Sequence, residues 1–235
     1  APIVFENLLI ARTSVQDGGV RGFVVAYDID TQKEVWRWFS VPPSGGDPEW
    51  GLNDVSKGNI NPYPGDWGNT DLIGGGAVWS MFGVDHEDRV IYFTTGSSSG
   101  VFDAALRPGP NLFASSIIAL NVDNGEMKWY YQVAPHDIND HEVGWSVILA
   151  ETEINGEMKK VVMAGSKTDH VFILDADNGK PLHTPLMLGN NAFNVPNHGF
   201  MSRRQGSLQI RVELPRTKLF QSLLNLTEFQ SSYGI

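Results

Sequence analysis

A cluster of acidic residues and histidines occupies eight consecutive positions near the middle of the chain. Residues 135–142 read PHDINDHE and contain three carboxylates, Asp137, Asp140 and Glu142, together with two histidines. The segment lies on a turn that leaves a predicted strand. A carboxylate in such a turn can accept a proton as a general base, and several together can hold a hard cation. The alternative is a solvated acidic loop, which accounts for most clusters of this kind.

A tryptophan that follows a run of glycines is the second feature able to take part in chemistry. Residues 74–79 read GGGAVW, so Trp79 comes directly after the glycine run and two small apolar residues. Glycines let the backbone pass close to another group, and an indole offers a flat apolar platform. We therefore interpret Trp79 as a stacking surface for a planar ligand. The alternative is a tryptophan that packs between neighbouring sheets.

Composition restricts the classes of protein and partner. The chain has 235 residues, a net charge of -10 and no cysteine. The charge argues against a nucleic-acid partner, because a phosphate backbone would be repelled. The lack of cysteine excludes disulfides, thiolate zinc sites and cysteine nucleophiles from this stretch. No apolar run approaches the roughly 18 residues of a membrane helix. The first residues do not have the pattern of a signal peptide. This start of the sequence fits a cleaved signal or an excised domain equally well.

A degenerate repeat organises the chain around these candidates. Residues 23–36 (FVVAYDIDTQKEVW) and 116–129 (SIIALNVDNGEMKW) follow one template, and residues 171–182 (VFILDADNGKPL) follow it without the final tryptophan. Each copy predicts a buried strand, a tight turn and a returning strand, on which Trp36 or Trp129 packs between sheets. Such units cannot bury their faces alone, and radial stacking of them gives a β-propeller. A hairpin-rich sandwich is the alternative fold.

Two stretches fall outside the repeat. Residues 41–76 are rich in Gly, Pro, Asn, Asp and Trp and are too long for an ordinary hairpin connection, and loops of that length are usually functional or mobile. After about residue 190 the sequence becomes basic and less patterned, with a predicted short amphipathic helix at 217–229. We therefore divide the chain into propeller blades at 1–189 and an atypical C-terminal segment at 190–235.

Several segments, in matching order along the chain, resemble the eight-bladed quinoprotein (PQQ-dependent) alcohol dehydrogenases, the family of methanol and ethanol dehydrogenases. Residues 20–28 (VRGFVVAYD) are similar to the family's Arg-Gly-aromatic strand, and residues 74–79 to its Gly-Gly-Gly-Thr-x-Trp motif. Residues 91–97 (IYFTTGS) resemble the strand that follows. Residues 134–140 (APHDIND) resemble Thr-Pro-His-Asp-x-Trp-Asp, and residues 167–175 (KTDHVFILD) the next strand. The resemblance implies an all-β propeller of which about four blades lie in this chain.

The resemblance implies three residues that contact the cofactor PQQ. Trp79 matches the tryptophan that stacks on the planar cofactor, and Ser14 matches a serine that forms a hydrogen bond with it. Lys167 matches a basic residue that faces the quinone oxygens, where a cation would stabilise the reduced, anionic quinol. A surface lysine of a hairpin is the alternative interpretation of Lys167.

A base and a metal ion, calcium or a lanthanide, are also implied. Asp140 matches the family's catalytic base, which is needed because an alcohol cannot lose hydride without losing its hydroxyl proton. The expected metal ligands are Asp17, Ser97, Asp140 and Glu142. Ser97 stands where the family has an asparagine, and its hydroxyl is a poorer ligand than an amide carbonyl. Glu142 stands where lanthanide-dependent members carry an additional aspartate, and an extra carboxylate suits a more highly charged ion.

The implied activity is the oxidation of a primary or secondary alcohol, with electrons passed to cytochrome c or a membrane quinone. The resemblance places such a protein in the periplasm or outside the cell. The alternative is a non-catalytic propeller of the same repeat that acts as an interaction scaffold, which the departure at Ser97 favours. For the enzyme, we expect five separated residues to converge near one end of the propeller axis: Ser14, Asp17, Trp79, Ser97 and Asp140.

Overall fold

The computed structural model describes residues 1–14, 20–41, 67 and 74–187. Within these ranges the chain forms three four-stranded antiparallel sheets, in each of which consecutive strands are neighbours. The strands are β1 (Ile3–Phe5), β2 (Leu8–Arg12), β3 (Phe23–Asp28), β4 (Glu34–Phe39), β5 (Gly83–Asp85), β6 (Val90–Thr94), β7 (Ser116–Asn121), β8 (Met127–Gln132), β9 (Ile148–Ile154), β10 (Glu157–Gly165), β11 (His170–Asp175) and β12 (Leu186–Met187). A 3-10 turn, Ala104–Leu106, lies between β6 and β7.

These sheets are three successive blades, so the predicted all-β propeller fold is confirmed. Blade 1 is β1–β4, blade 2 is β5–β8 and blade 3 is β9–β12. The predicted boundary near residue 190, the helix expected at 217–229 and most of the 41–76 connection lie outside the described residues.

The three copies of the repeat form equivalent hairpins at the ends of β3, β7 and β11. Asp28, Asn121 and Asp175 each begin the turn, and the side chain of each accepts a hydrogen bond from a backbone N–H two or three residues later. The fifth residue of each turn has a positive φ, which the turn requires: 58° at Gln32, 73° at Gly125 and 69° at Gly179. The hairpin prediction is therefore confirmed.

Two tryptophans join neighbouring blades. Trp36 on β4 donates its indole N–H to the carbonyl oxygen of Val122 in blade 2, at 2.9 Å. Trp129 on β8 donates in the same way to Ala176 in blade 3, at 2.8 Å. Both indoles are nearly buried, with 7% and 6% of their surface exposed. The predicted packing of both tryptophans between sheets is confirmed.

Each of these indoles lies on a glycine of the neighbouring turn. A Cβ atom at Gly125 would come within 2.6 Å of the Trp36 ring, and one at Gly179 within 2.5 Å of the Trp129 ring. These distances are far below van der Waals contact. The glycine of the Asp-Asn-Gly turn therefore has two roles: it adopts the positive φ of the turn, and its lack of a side chain leaves room for the tryptophan ring.

The middle blade is buried on both faces. On β6, Phe93 packs in the core between blades 1 and 2, while the adjacent Tyr92 packs in the core between blades 2 and 3. On β7, Ile118 packs in the core between blades 1 and 2, and Ala119 packs in the core between blades 2 and 3. Side chains alternate across a strand, so a strand with two covered faces reads as a continuous apolar run.

Ion pairs also cross the blade boundaries. Arg89 of blade 2 contacts Glu6 of blade 1 at 2.8 Å. Lys160 of blade 3 contacts Asp85 and Asp88 of blade 2 at 2.8 and 2.6 Å. Of these acidic groups Asp85 is buried, so its pairing matters more for stability than that of the exposed Glu6.

Candidate functional site

The glycine run at residues 74–76 is held between blades 1 and 2. Gly75 donates its N–H to the oxygen of Val20 at 2.9 Å and accepts from Gly22 at 2.8 Å, and Gly76 donates to the oxygen of Ser97 at 2.8 Å. Gly75 has a φ of 82°, and a Cβ there would lie 2.5 Å from the Ser97 oxygen. The close approach inferred from the glycines is therefore an approach to neighbouring backbone. It fixes the relative positions of Trp79 and Ser97.

Ser97 is fully buried and lies among three carboxylates. Its backbone N–H donates to Oε2 of Glu142. Its hydroxyl lies 2.8 Å from Oδ2 of Asp137 and 3.2 Å from Oδ1 of Asp140. The hydroxyl has one proton, so it can donate to only one of these two carboxylates at a time. The acidic cluster of residues 135–142 therefore does come together with Ser97, across about 40 sequence positions.

Asp137 shapes the turn that carries Asp140. Its Oδ1 accepts the backbone N–H groups of Asn139 and His141, at 3.1 and 3.0 Å, on either side of Asp140. Its Oδ2 lies 3.1 Å from the hydroxyl of Ser115. Asp140 itself has a φ of 60°, in the left-handed region that aspartate adopts more readily than most residues. One buried carboxylate thus holds both flanks of Asp140.

Lys167 connects Asp140 and Glu142. Its Nζ donates to Oδ2 of Asp140 at 2.7 Å and lies 2.9 Å from Oε1 of the buried Glu142. The contact with Glu142 is a close ion pair. Burial lowers the pKa of Lys167, but the two carboxylates outweigh it and the pKa is raised overall. Lys167 is therefore a charged, paired group of this cluster and not a free surface lysine.

Trp79 lies beside Lys167 with its indole partly open. It is 42% exposed, in contrast to the nearly buried Trp36 and Trp129. The centre of its ring is 6.0 Å from Lys167 Nζ. Two of its ring carbons lie 3.6 Å from the place that a Cβ at Gly144 would occupy. Trp79 therefore does not join blades as Trp36 and Trp129 do.

A backbone hydrogen bond next to Ser14 brings this residue near Trp79. Asp17 lies outside the described residues. The oxygen of Thr13, the residue before Ser14, accepts the N–H of Val78, the residue before Trp79, at 3.1 Å. Ser14 is exposed at this point. The structure thus gathers Trp79, Ser97 and Asp140 closely, and sets Ser14 at their edge.

Arg107 is a member of this region that the sequence analysis missed. Its guanidinium is 1% exposed, and Nη2 donates to the carbonyl oxygens of Val101 and Asp137, each at 2.6 Å. Nη1 donates to Oδ1 of Asn111 at 2.6 Å. Burial lowers the pKa of Arg107, which the negative charge of Asp137 opposes. An arginine in a Pro- and Gly-rich connection carries no sequence signal of such burial.

The charges of the cluster leave an excess of carboxylate. Residues 135–142 contribute three acidic groups, against which stand Lys167 and Arg107. Glu142 Oε1 is buried and faces the Lys167 ammonium at 2.9 Å. Carboxylate and hydroxyl oxygens are donors suited to a hard cation. The chemistry of Ser97, Asp140 and Glu142 therefore fits such an ion, although no three His, Cys, Asp or Glu side chains of the described ranges already form a metal-binding group.

No helix in the described ranges is both long and apolar enough to span a membrane.

Comparison with known sequences gives a family match over most of the chain. A sequence model of the PQQ glucose/ethanol/alcohol dehydrogenase β-propeller domain matches residues 1–186. A quinohemoprotein alcohol dehydrogenase of Comamonas testosteroni is 37% identical over 186 residues, which are 77% of this chain and 25% of that protein. Subunit 1 of a cytochrome c methanol dehydrogenase of Methylorubrum extorquens is 29% identical over 184 residues, or 76% of this chain and 29% of that protein.

Solved structures show the same likeness. The quinohemoprotein alcohol dehydrogenase ADHIIG of Pseudomonas putida HK5 superposes with a TM-score of 0.67 and 33% identity, covering 77% of this chain and 26% of that one. A europium-containing methanol dehydrogenase superposes with a TM-score of 0.62 and 27% identity, covering 77% and 32%. The chain thus spans about a quarter of the length of the curated relatives it matches. With three blades of matching fold and a family match over residues 1–186, the chain belongs to the PQQ-dependent quinoprotein alcohol dehydrogenase family.

Proposed function

We propose that this protein is a PQQ-dependent dehydrogenase that oxidises an alcohol, with Asp140 as the general base. The observation that carries the proposal is the pairing of Asp140 with Lys167 at 2.7 Å, beside the open indole of Trp79. This combination brings a proton acceptor, a cation and a stacking surface together in one place. The alcohol dehydrogenase relatives support the same activity.

Trp79, Lys167 and Ser14 would hold PQQ. The indole offers a flat apolar face, and the ammonium lies on the same side of the site, 6.0 Å from the ring centre. A planar, anionic cofactor can stack on the indole and pair with the ammonium. When bound, PQQ supplies the two-electron acceptor of the reaction. Ser14, exposed at the edge of the group, would donate a hydrogen bond to it.

Asp140 would take the hydroxyl proton of the alcohol as hydride leaves the adjacent carbon. Its side chain is 34% exposed, so a substrate can reach it. Lys167 on Oδ2 and the Ser97 hydroxyl near Oδ1 hold the carboxylate in one orientation. A positioned base is efficient because reacting atoms are already aligned when the substrate binds.

Ser97, Asp140, Glu142 and Asp17 would hold a calcium or lanthanide ion. The first three converge in the structure and provide oxygen donors with two negative charges. The europium-containing relative supports a metal of this kind. Electrons would then pass to cytochrome c or a membrane quinone, and the name of the cytochrome c methanol dehydrogenase subunit supports the first of these acceptors. The family resemblance implies that the protein acts in the periplasm or outside the cell.

The test is Asp140→Asn in the full-length protein reconstituted with PQQ and a metal ion. The amide keeps the shape of the side chain but cannot take a proton, so we expect kcat to fall by about 10²–10⁴. Bound PQQ, measured by its absorbance, should be retained. Asp177→Asn, at an exposed turn aspartate of blade 3, is the control and should leave kcat unchanged. Near-normal turnover in Asp140→Asn would instead support the non-catalytic scaffold.

A further inference from the structure

We propose that Asp137 is a positioning residue for Asp140, and that Arg107 fixes Asp137 in turn. The inference rests on the proposed function of Asp140 as the base. It adds to that function the two groups that determine where the base carboxylate stands.

The Asp137 carboxylate is held in place on both sides of Asp140. This carboxylate is 7% exposed and uses both oxygens. Oδ1 accepts the N–H groups of Asn139 and His141, and Oδ2 lies 2.8 Å from the Ser97 hydroxyl and 3.1 Å from the Ser115 hydroxyl. A non-glycine residue in the left-handed region persists only where its surroundings hold it there. The two bonds that flank Asp140 supply that restraint.

Arg107 binds the backbone that carries Asp137. Its Nη2 binds the carbonyl oxygens of Val101 and Asp137 together, and so ties the β6–β7 connection to the β8–β9 connection. Nη1 binds Asn111 Oδ1, which keeps the guanidinium plane in one orientation. A planar fork can satisfy three oxygens in fixed directions, which an ammonium on a flexible stem cannot do. Arg107 therefore sets the position of the backbone from which the Asp137 side chain extends.

The chain contains a matched carboxylate away from the site, so a positioning role can be separated from a general effect on stability. Asp85 is 4% exposed and its Oδ1 accepts the N–H groups of Glu87 and Asp88, both at 3.0 Å. It therefore caps a turn as Asp137 does, with Lys160 beside it. Losing either carboxylate removes a buried turn cap, but only Asp137 holds a residue of the proposed site.

The experiment compares Asp137→Ala and Asp137→Asn with Asp85→Ala in the full-length protein loaded with PQQ and metal. We measure kcat and KM for an alcohol, bound PQQ by absorbance, and the midpoint of thermal unfolding. Asp137→Ala should lower kcat about 10²-fold, as expected when a reacting group is misplaced by about 1 Å, with KM and bound PQQ little changed. Asp137→Asn should recover most of the rate, since its side-chain oxygen still accepts both N–H groups. Asp85→Ala should lower the thermal midpoint and leave kcat unchanged.

Arg107→Lys provides a second measurement that leaves the carboxylate in place. It should lower kcat while the thermal midpoint falls no further than in Asp85→Ala. If Asp137→Ala does not fold, this variant decides the question, and an unchanged kcat overturns the proposal.

The double variant Asp137→Ala/Asp140→Asn shows whether Asp137 acts through Asp140. If it does, the double variant is no slower than Asp140→Asn alone, because residues acting as one unit are not additive. A further 10²-fold loss, or a normal kcat in Asp137→Ala, overturns the positioning role and leaves Asp140 as base. Near-normal turnover in Asp140→Asn overturns the proposed function itself.

Discussion

Lys167 Nζ lies 2.7 Å from Oδ2 of Asp140, although 27 positions separate the two residues in the chain. The same ammonium lies 2.9 Å from Oε1 of Glu142, which is fully buried. One cation thus serves two carboxylates that we propose as base and metal ligand. Its removal should therefore affect the protein in more than one way.

We expect Lys167→Met to destabilise the protein, because it leaves the buried Glu142 carboxylate unpaired. Breaking a buried pair from one side typically costs about 3–5 kcal/mol, and the partial exposure of Lys167 places the expected loss at the low end. Urea unfolding of the PQQ-free protein measures the change. Adding Glu142→Gln should recover part of the loss. An equal or larger loss in the double variant would show that the pair has no such role.

Glu142→Ala should weaken binding of a lanthanide more than binding of calcium, because it removes one anionic oxygen donor and the more highly charged ion depends on it more. Calorimetric titration of the PQQ-loaded, full-length protein with each ion measures the two affinities. Glu153→Ala, at an exposed position of β9, is the control. Equal losses for both ions would contradict the preference for a lanthanide, and no loss for either would leave Glu142 as the structural partner of Lys167 alone.

Trp79→Ala should weaken binding of PQQ without unfolding the protein. The indole is 42% exposed and has an open face, so its loss removes stacking more than core packing. Aromatic stacking contributes about 0.5–1.5 kcal/mol, and the dissociation constant of PQQ should rise by up to about tenfold. Fluorescence titration with PQQ measures the change, with the exposed Met158→Ala as control. An unchanged affinity would contradict the stacking role.

Gly125→Ala should destabilise the protein more than Gly156→Ala. Both glycines have a positive φ, 73° and 85°, so both substitutions carry the same backbone cost. Only at Gly125 would the new Cβ meet a ring, that of Trp36 at 2.6 Å, whereas Gly156 has nothing within 4 Å. Overpacking typically costs about 1–3 kcal/mol, which is the expected difference in free energy of unfolding. Denaturant unfolding of both variants measures it, and equal losses would mean that the docked indole moves freely.

Asp85→Asn should lower stability at neutral pH but not in acid. Burial alone raises the pKa of Asp85, but the backbone N–H groups and Lys160 outweigh it, and the pKa falls below its ordinary value of 3.8. A carboxylate with a lowered pKa contributes stability that is present above its ordinary pKa and lost as the pH falls through the folded-state value. The gap in stability between wild type and Asp85→Asn should therefore narrow progressively as the pH falls below about 4. Thermal unfolding from pH 7 to pH 3 tests this, and a constant gap would show that the charge of Asp85 is not involved.

The repeat could be predicted from the sequence because its causes are local. A β-branched run and an Asp-Asn-Gly turn each act within about ten residues, and together they predict the hairpins at Asn121 and Asp175. The packing of Trp129 between sheets also follows from the template, since a strand that must be covered places its aromatic side chain against the next sheet. Its contact with Gly179 came only from the structure. At Asp28 the same hairpin forms with Gln32 in the glycine position.

The sequence by itself determined that this protein is a stack of β-hairpins and that Asp140, Lys167 and Trp79 are candidates for a site. Only the tertiary structure decided the pairing of Lys167 with two carboxylates, the restraint of Asp140 by Asp137 and the burial of Arg107. The physical reason is that these contacts depend on which blade ends meet and on how much water is excluded there. The spacing of residues along the chain does not determine either property. An arginine on a turn or a serine after a strand has the same local sequence pattern whether it is exposed to solvent or buried.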